Sequence, residues 1–260
     1  MLKILRCELY KTFTLRSVWI GIAVGIFGNA AICMMNSLTI RSAINDGDTS
    51  MLADTSPLGA AFSGLPIATV GAVVIAVMAV GSEYTASTVQ GDESRQLTTT
   101  LAAIPSRVSL IIGKTFAISF AVLFMAIFTV PLSTVVAEAI IGDIGIETIT
   151  PSAALKTWFG TTIYWTLTAL MAEALILLTR EVLIALTFLV ANNSLISFSY
   201  LLTKLTSLAN YLPDMAGRSL FGMAELEPGQ LEPLPGGIVM TIWTIALLAL
   251  GTTAFVRRDA

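Results

Sequence analysis

The charged residues of this chain gather in short islands. Between them lie stretches of about 20 residues with hardly a charge, the length an α-helix needs to cross a hydrocarbon core of about 30 Å. Six such stretches occur: Val18 to Ile40, Leu65 to Ser82, Val108 to Ala137, Thr157 to Leu178, Val182 to Thr203 and Gly236 to Val256. Only 12% of the 260 residues are charged, against roughly 25% in a soluble domain whose surface must be wetted. A single soluble core would instead show amphipathic elements with charges every few positions. The expected fold class is an all-α membrane protein with six transmembrane helices.

Ahead of the first stretch, residues 1–17 carry Lys3, Arg6, Lys11 and Arg16, while Leu2, Leu5, Leu9 and Phe13 recur on one helical face. A basic amphipathic helix in this position is expected to lie at the membrane interface, with its lysines near anionic headgroups. Trp19 is the expected interfacial anchor of the first span. This apolar segment is too long for the core of a cleavable signal and lacks a small-residue cleavage site.

Orientation follows from the positive-inside rule. With the N-terminus inside, six crossings return the C-terminus to the same side. Ten of the 14 Lys and Arg then fall inside, while ten of the 17 acids fall outside and Glu173 lies within a span. Both termini are therefore expected in the cytoplasm.

Several chemistries drop out. The chain has no histidine, which removes HExxH metalloproteases, Ser-His-Asp hydrolases and histidine-ligated haem. Its two cysteines, Cys7 and Cys33, have no metal spacing and no disulfide logic. No metal site, bound cofactor or nucleic-acid partner is expected. Gly113-Lys114-Thr115 imitates the end of a phosphate-binding loop, but the first glycine of GxxxxGK[ST] would fall at Val108, and the run between feeds a spanning helix. The chain is expected to have no ATPase site and no catalytic residue of its own.

The polar segment 83–107 is the one sizeable internal loop. It opens with Glu83-Tyr84, continues through Ser87-Thr88-Val89, and closes with Pro105-Ser106-Arg107 before Gly113-Lys114. An acidic-aromatic pair after the second span, then Pro-x-Arg, then Gly-Lys entering the third, resembles the type-2 ABC transporter permeases, the membrane-spanning subunits of ABC exporters. The opening Glu8-Leu9-Tyr10-Lys11 and Arg16-Ser17-Val18-Trp19, and the finish Phe255-Val256-Arg257-Arg258-Asp259, are similar to that family too. The likeness runs from end to end, through short motifs. Ser87 departs from it, where the family often has Gly, as does Ser106-Arg107, where a second basic residue is frequent.

The resemblance implies one type-2 transmembrane domain over 1–260, in a bacterial cytoplasmic (inner) membrane. Two permease subunits, identical or paralogous, would enclose a pathway, and separate ABC ATPase subunits holding ATP and Mg would dock below. A cytoplasmic coupling helix would lie within Thr85 to Ala103, with Glu83, Tyr84, Thr88, Pro105 and Arg107 as the ATPase-coupling residues. Segment 204–235 would form short extracellular helices before the sixth span. The cargo implied is a hydrophobic or amphipathic compound, such as a drug, an antimicrobial peptide or something lipid-like, moved outward.

Polar residues within spans complete the reading. Glu173 is the sole acid inside an apolar stretch, so it should face protein or water, be protonated, or pair with nearby Arg180. Asn192 and Asn193 fall near the middle of the fifth span, where amides hydrogen-bond between helices. Gly21-x-x-x-Gly25 permits close helix approach, and together with Asn29 these are the candidates for a translocation or dimer seam. Met34, Met35, Phe124 and Phe128 are candidate lining of a greasy pathway. The competing functions are an ion-coupled secondary transporter, which needs intramembrane charge and usually inverted repeats, and a non-transporting assembly or anchor protein.

Overall fold

The computed structural model describes residues 1–49, 52, 54–85, 106–142, 144, 149–192, 198–221 and 229–257. Every regular element among them is helical. Five helical stretches are long and apolar enough to cross a membrane, the make-up of a multi-pass membrane protein: Arg16–Asp46, Pro57–Tyr84, Arg107–Ile141, Pro151–Thr179 and Pro233–Arg257. Large apolar side chains stand exposed along them, among them Phe27, Phe116, Phe159, Ile242 and Ile245. A soluble monomer does not present so much contiguous apolar surface to water.

Helix α1, Leu2–Thr14, ends at the extended Leu15 and hands over to α2, Arg16–Asp46, which contains a π-helical turn at Val24–Gly28. The first span thus runs six residues past Ile40. Nothing in residues 41–46 breaks a helix, and the stop comes at Gly47, whose φ of 71° supplies the left-handed cap. The expected loop from Arg41 to Gly64 is accordingly shorter, and part of it is α3, Pro57–Phe62, started by Pro57 and by Ser56 Oγ accepting from the Gly59 N–H at 3.0 Å.

The second span is α4, Leu65–Thr85. The third is α5, Arg107–Ile141, which continues through Pro131 and is capped by Ser106. At 1.5 Å per residue its 35 residues reach about 52 Å, so it projects well beyond an apolar core of about 30 Å. The fourth, α6, Pro151–Thr179, starts at Thr150-Pro151 and stops at Arg180, whose φ of 59° makes the sharp turn. The Glu181 N–H closes that turn on Thr179 Oγ1 at 3.2 Å.

The expected fifth span, Val182 to Thr203, is seen as an 11-residue helix α7, Val182–Asn192, and a six-residue helix α8, Phe198–Thr203. Residues 193–197 between them lie outside the described residues. A 3-10 turn, Ser207–Tyr211, leads to α9, Pro213–Arg218, and a second turn at Ser219–Phe221. The last span is α10, Pro233–Arg257.

Helix α4 lies at the centre of the bundle, packed against α2, α5, α6 and α7, with α10 outside α6. Trp165 of α6 is fully buried, and its Nε1–H donates to Thr69 Oγ1 of α4 at 3.1 Å. Where α2 crosses α4 the backbones nearly touch. A Cβ placed on Gly71 would lie 2.8 Å from the Gly25 backbone, and one placed on Gly21 would lie 3.0 Å from the Gly71 carbonyl. The close approach that Gly21-x-x-x-Gly25 permits is therefore made inside one chain, to α4.

Candidate functional site

At the end of the bundle where α1 lies, four charged side chains from three elements meet. Lys114 of α5 is 3% exposed. Its ammonium donates to Glu8 Oε2 of α1 at 2.9 Å and to Glu83 Oε1 of α4 at 3.1 Å. Lys11, one turn on from Glu8, donates to the same Glu83 oxygen. Two lysines thus balance two carboxylates. Neutrality matters here, because an unpaired ion taken out of water costs several kcal/mol, whereas a paired and hydrogen-bonded set recovers most of that.

Local sequence places each member. Ile4, Glu8 and Thr12 share one face of α1 at i, i+4 and i+8, and the last two are buried. Gly113 lies where α1 crosses α5: a Cβ there would sit 3.0 Å from Ile4 Cγ2 and 3.5 Å from Glu8 Cγ. The Gly-Lys pair that imitates a phosphate loop is thus a crossing point followed by a buried cation. The α1–α2 elbow is held by aromatic edges. Phe13 meets Trp19 at 6.0 Å and Phe124 at 5.9 Å between centroids, and the Trp19 indole N–H donates to the Phe13 carbonyl at 2.8 Å.

The contacts of α1 add what its apolar spacing does not show. Leu2 is exposed, and the protein-facing side carries Glu8 and Thr12. Lys11 is engaged by Glu83 rather than left for headgroups.

Next to this cluster lies Glu173 of α6, with none of its surface exposed. Thr115 Oγ1 donates to its carboxylate at 3.0 and 3.2 Å, and among the described residues it forms no ion pair. The pairing with Arg180 considered from sequence is absent, because Arg180 occupies the left-handed cap after α6 while Glu173 points to α5.

Among the coupling candidates, Glu83 is buried within the cluster and Tyr84 packs partly buried against the core. Arg107 donates to the Phe255 and Val256 carbonyls at 3.3 and 3.2 Å, tying the start of α5 to the end of α10. Thr88, Pro105 and nearly all of the coupling segment lie outside the described residues, as does Asn193. Asn29 is buried and donates to Ser133 Oγ of α5, and Asn192 Oδ1 accepts from Ser199 Oγ at 3.2 Å. Met34, Met35 and Phe128 are exposed on the outer surface, while Phe124 belongs to the elbow cluster.

Sequence reasoning missed Glu8, Lys11 and Lys114 as one unit with Glu83. The usable signal was the company Lys114 keeps: it lies seven residues into α5 among apolar residues, and a lysine in such surroundings needs an acidic partner. Among the described residues no group of three or more Cys, Asp or Glu is placed to hold a metal ion. No protein-family model and no curated protein matches the chain.

Proposed function

We propose that this chain is the membrane-spanning permease subunit of an ATP-driven ABC exporter in a bacterial cytoplasmic membrane. It would move a hydrophobic or amphipathic compound outward, powered by a separate ATPase subunit and working beside a second permease subunit. One observation carries this reading. Glu83, where the segment resembling a coupling helix leaves the second span, is buried and ion-paired to both the N-terminal helix and the third span. A loop gripped by a motor needs a stiff root, and three elements braced through two carboxylates and two ammoniums supply one. Movement of the segment would then carry α1, α4 and α5 together rather than bend the loop alone.

The proposal includes six crossings with both termini inside. Residues 182–203 number enough to span about 33 Å as a helix, and the charge asymmetry of the loops favours this count. The partner permease would meet the exposed apolar side of the first span, where Ile20, Phe27 and Met35 face outward.

The test is to substitute Glu83→Ala, or to delete part of Thr85–Ala103, and to follow both membrane insertion and ATPase association. The expected result is normal insertion with lost or weakened ATPase association. Undiminished association in both variants would overturn the coupling role.

A further inference from the structure

Between α6, α7, α8, α9 and α10 lies a cavity of about 280 Å³. Its wall is mostly apolar and aromatic, with Met171, Leu175, Phe188, Leu189, Trp243 and Leu247 among the lining residues. Among the described residues one charged group lines it, Asp214 of α9. Asp214 is 5% exposed, and among the described residues neither of its carboxylate oxygens has a hydrogen-bond partner. The other buried carboxylates among the described residues are met: Glu8 and Glu83 by ammoniums, Glu173 by the Thr115 hydroxyl.

The cations nearest in sequence lie against an aromatic ring, and Arg218 also stands near enough to act on Tyr164 as Asp214 does. Lys204 lies over the Tyr200 ring at 4.9 Å, and the Arg218 guanidinium lies 5.7 Å from the same ring. Neither forms an ion pair with Asp214. A carboxylate left this way is costly unless something of opposite charge joins it. The surroundings say what that something is. A small inorganic cation wants several oxygen ligands turned toward it. Besides Asp214 the lining offers Tyr164, Thr168, Asn192 and Ser199, of which the Thr168 hydroxyl donates to the Tyr164 carbonyl and Asn192 Oδ1 accepts from Ser199 Oγ. The rest of the wall is hydrocarbon and aromatic. An ammonium on an apolar body matches both features, because its charge meets Asp214 while aromatic faces such as Trp243 and Phe188 attract cations and bury the rest.

We infer that this cavity binds a small amphipathic organic cation, with Asp214 as the charge partner. As a statement of cargo class this rests on the exporter reading, while the binding itself is a property of this chain alone.

The experiment uses the full chain in nanodiscs of uncharged lipid, with radiolabelled benzyltrimethylammonium as probe. The neutral isostere neopentylbenzene and Mg2+ serve as competitors. Expected are saturable binding, displacement by unlabelled probe, and no displacement by either competitor at equal concentration. Asp214→Asn should weaken binding by about 10-fold or more, while Asp214→Glu retains it. Leu189→Trp should abolish binding by filling the cavity, and it carries the test if the asparagine variant does not fold. Absent saturable binding, equal binding by folded Asp214→Asn, or displacement by the neutral isostere or by Mg2+ would each overturn the inference. A parent chain that associates with no ATPase would sink the exporter reading and leave this result standing, and absent binding of the probe would overturn this inference and leave that reading standing.

Discussion

Replacing Lys114 with methionine isolates the brace most sharply. The ammonium is buried between Glu8 at 2.9 Å and Glu83 at 3.1 Å, and methionine keeps the apolar stem while removing the charge. Glu83 retains Lys11, so it is only half deprived. Glu8 loses the one ion-pair partner it has among the described residues and stays buried. Removing one member of a buried ion pair typically costs about 3–5 kcal/mol, because the partner charge is left uncompensated. Glu8→Gln alone should cost less, about 1–3 kcal/mol, since Lys114 keeps Glu83 and the amide oxygen still accepts a hydrogen bond. In the double variant neither the ammonium nor the orphaned carboxylate remains. Its loss should therefore fall short of the sum of the singles by about 1–3 kcal/mol. The assay is reversible unfolding in mixed micelles, followed by helical signal and by trypsin cleavage at Lys3 and Arg6. Additive losses, or a Lys114→Met variant as stable as the parent, would refute the brace.

Other variants test separate parts of the account. Gly71→Ala should destabilise by about 1–3 kcal/mol in the same unfolding assay, because the new Cβ would lie 2.8 Å from backbone atoms of Gly25 and backbone cannot step aside. Trp19→Ala removes ring contacts to Phe13 and Phe124, worth about 0.5–1.5 kcal/mol each. It should speed tryptic release of α1 without changing insertion, and an unchanged cleavage rate would show that the elbow is held by other contacts. Glu173→Gln keeps an acceptor for Thr115 and should leave stability and ATPase association near the parent's. An ion-driven transporter would instead lose ion-coupled uptake into proteoliposomes with that substitution.

Much of this fold was legible because membrane spans are the least ambiguous pattern a sequence can hold. Long uncharged stretches in α4, α5, α6 and α10 need only be counted. Ends were harder. The first span overran Ile40 because polar residues such as Ser42 and Asn45 are compatible with a helix, and only Gly47 offers a left-handed stop. The stretch from Val182 to Thr203 looks as apolar as its neighbours, and its described part consists of α7 and α8.

The candidate site was half visible. Glu83 was singled out by resemblance, whereas its partners come from positions 8, 11 and 114, and such meetings depend on which helix crosses which. Gly21 and Gly25 announced a close helix contact correctly, but a small-residue pattern does not name the helix that will fill it, and here it is α4. Asp214 looked like one of many acids in a polar segment. That it faces an apolar cavity with both oxygens unpartnered follows only from how α9 docks on α6 and α10.

The most direct test of the exporter reading is to purify the tagged chain from its native membranes in mild detergent and to measure ATP hydrolysis in the eluate. The account predicts a second, stoichiometric subunit and vanadate-sensitive hydrolysis that disappears with Glu83→Ala. A chain recovered alone and inactive, even after crosslinking in the membrane, would contradict it.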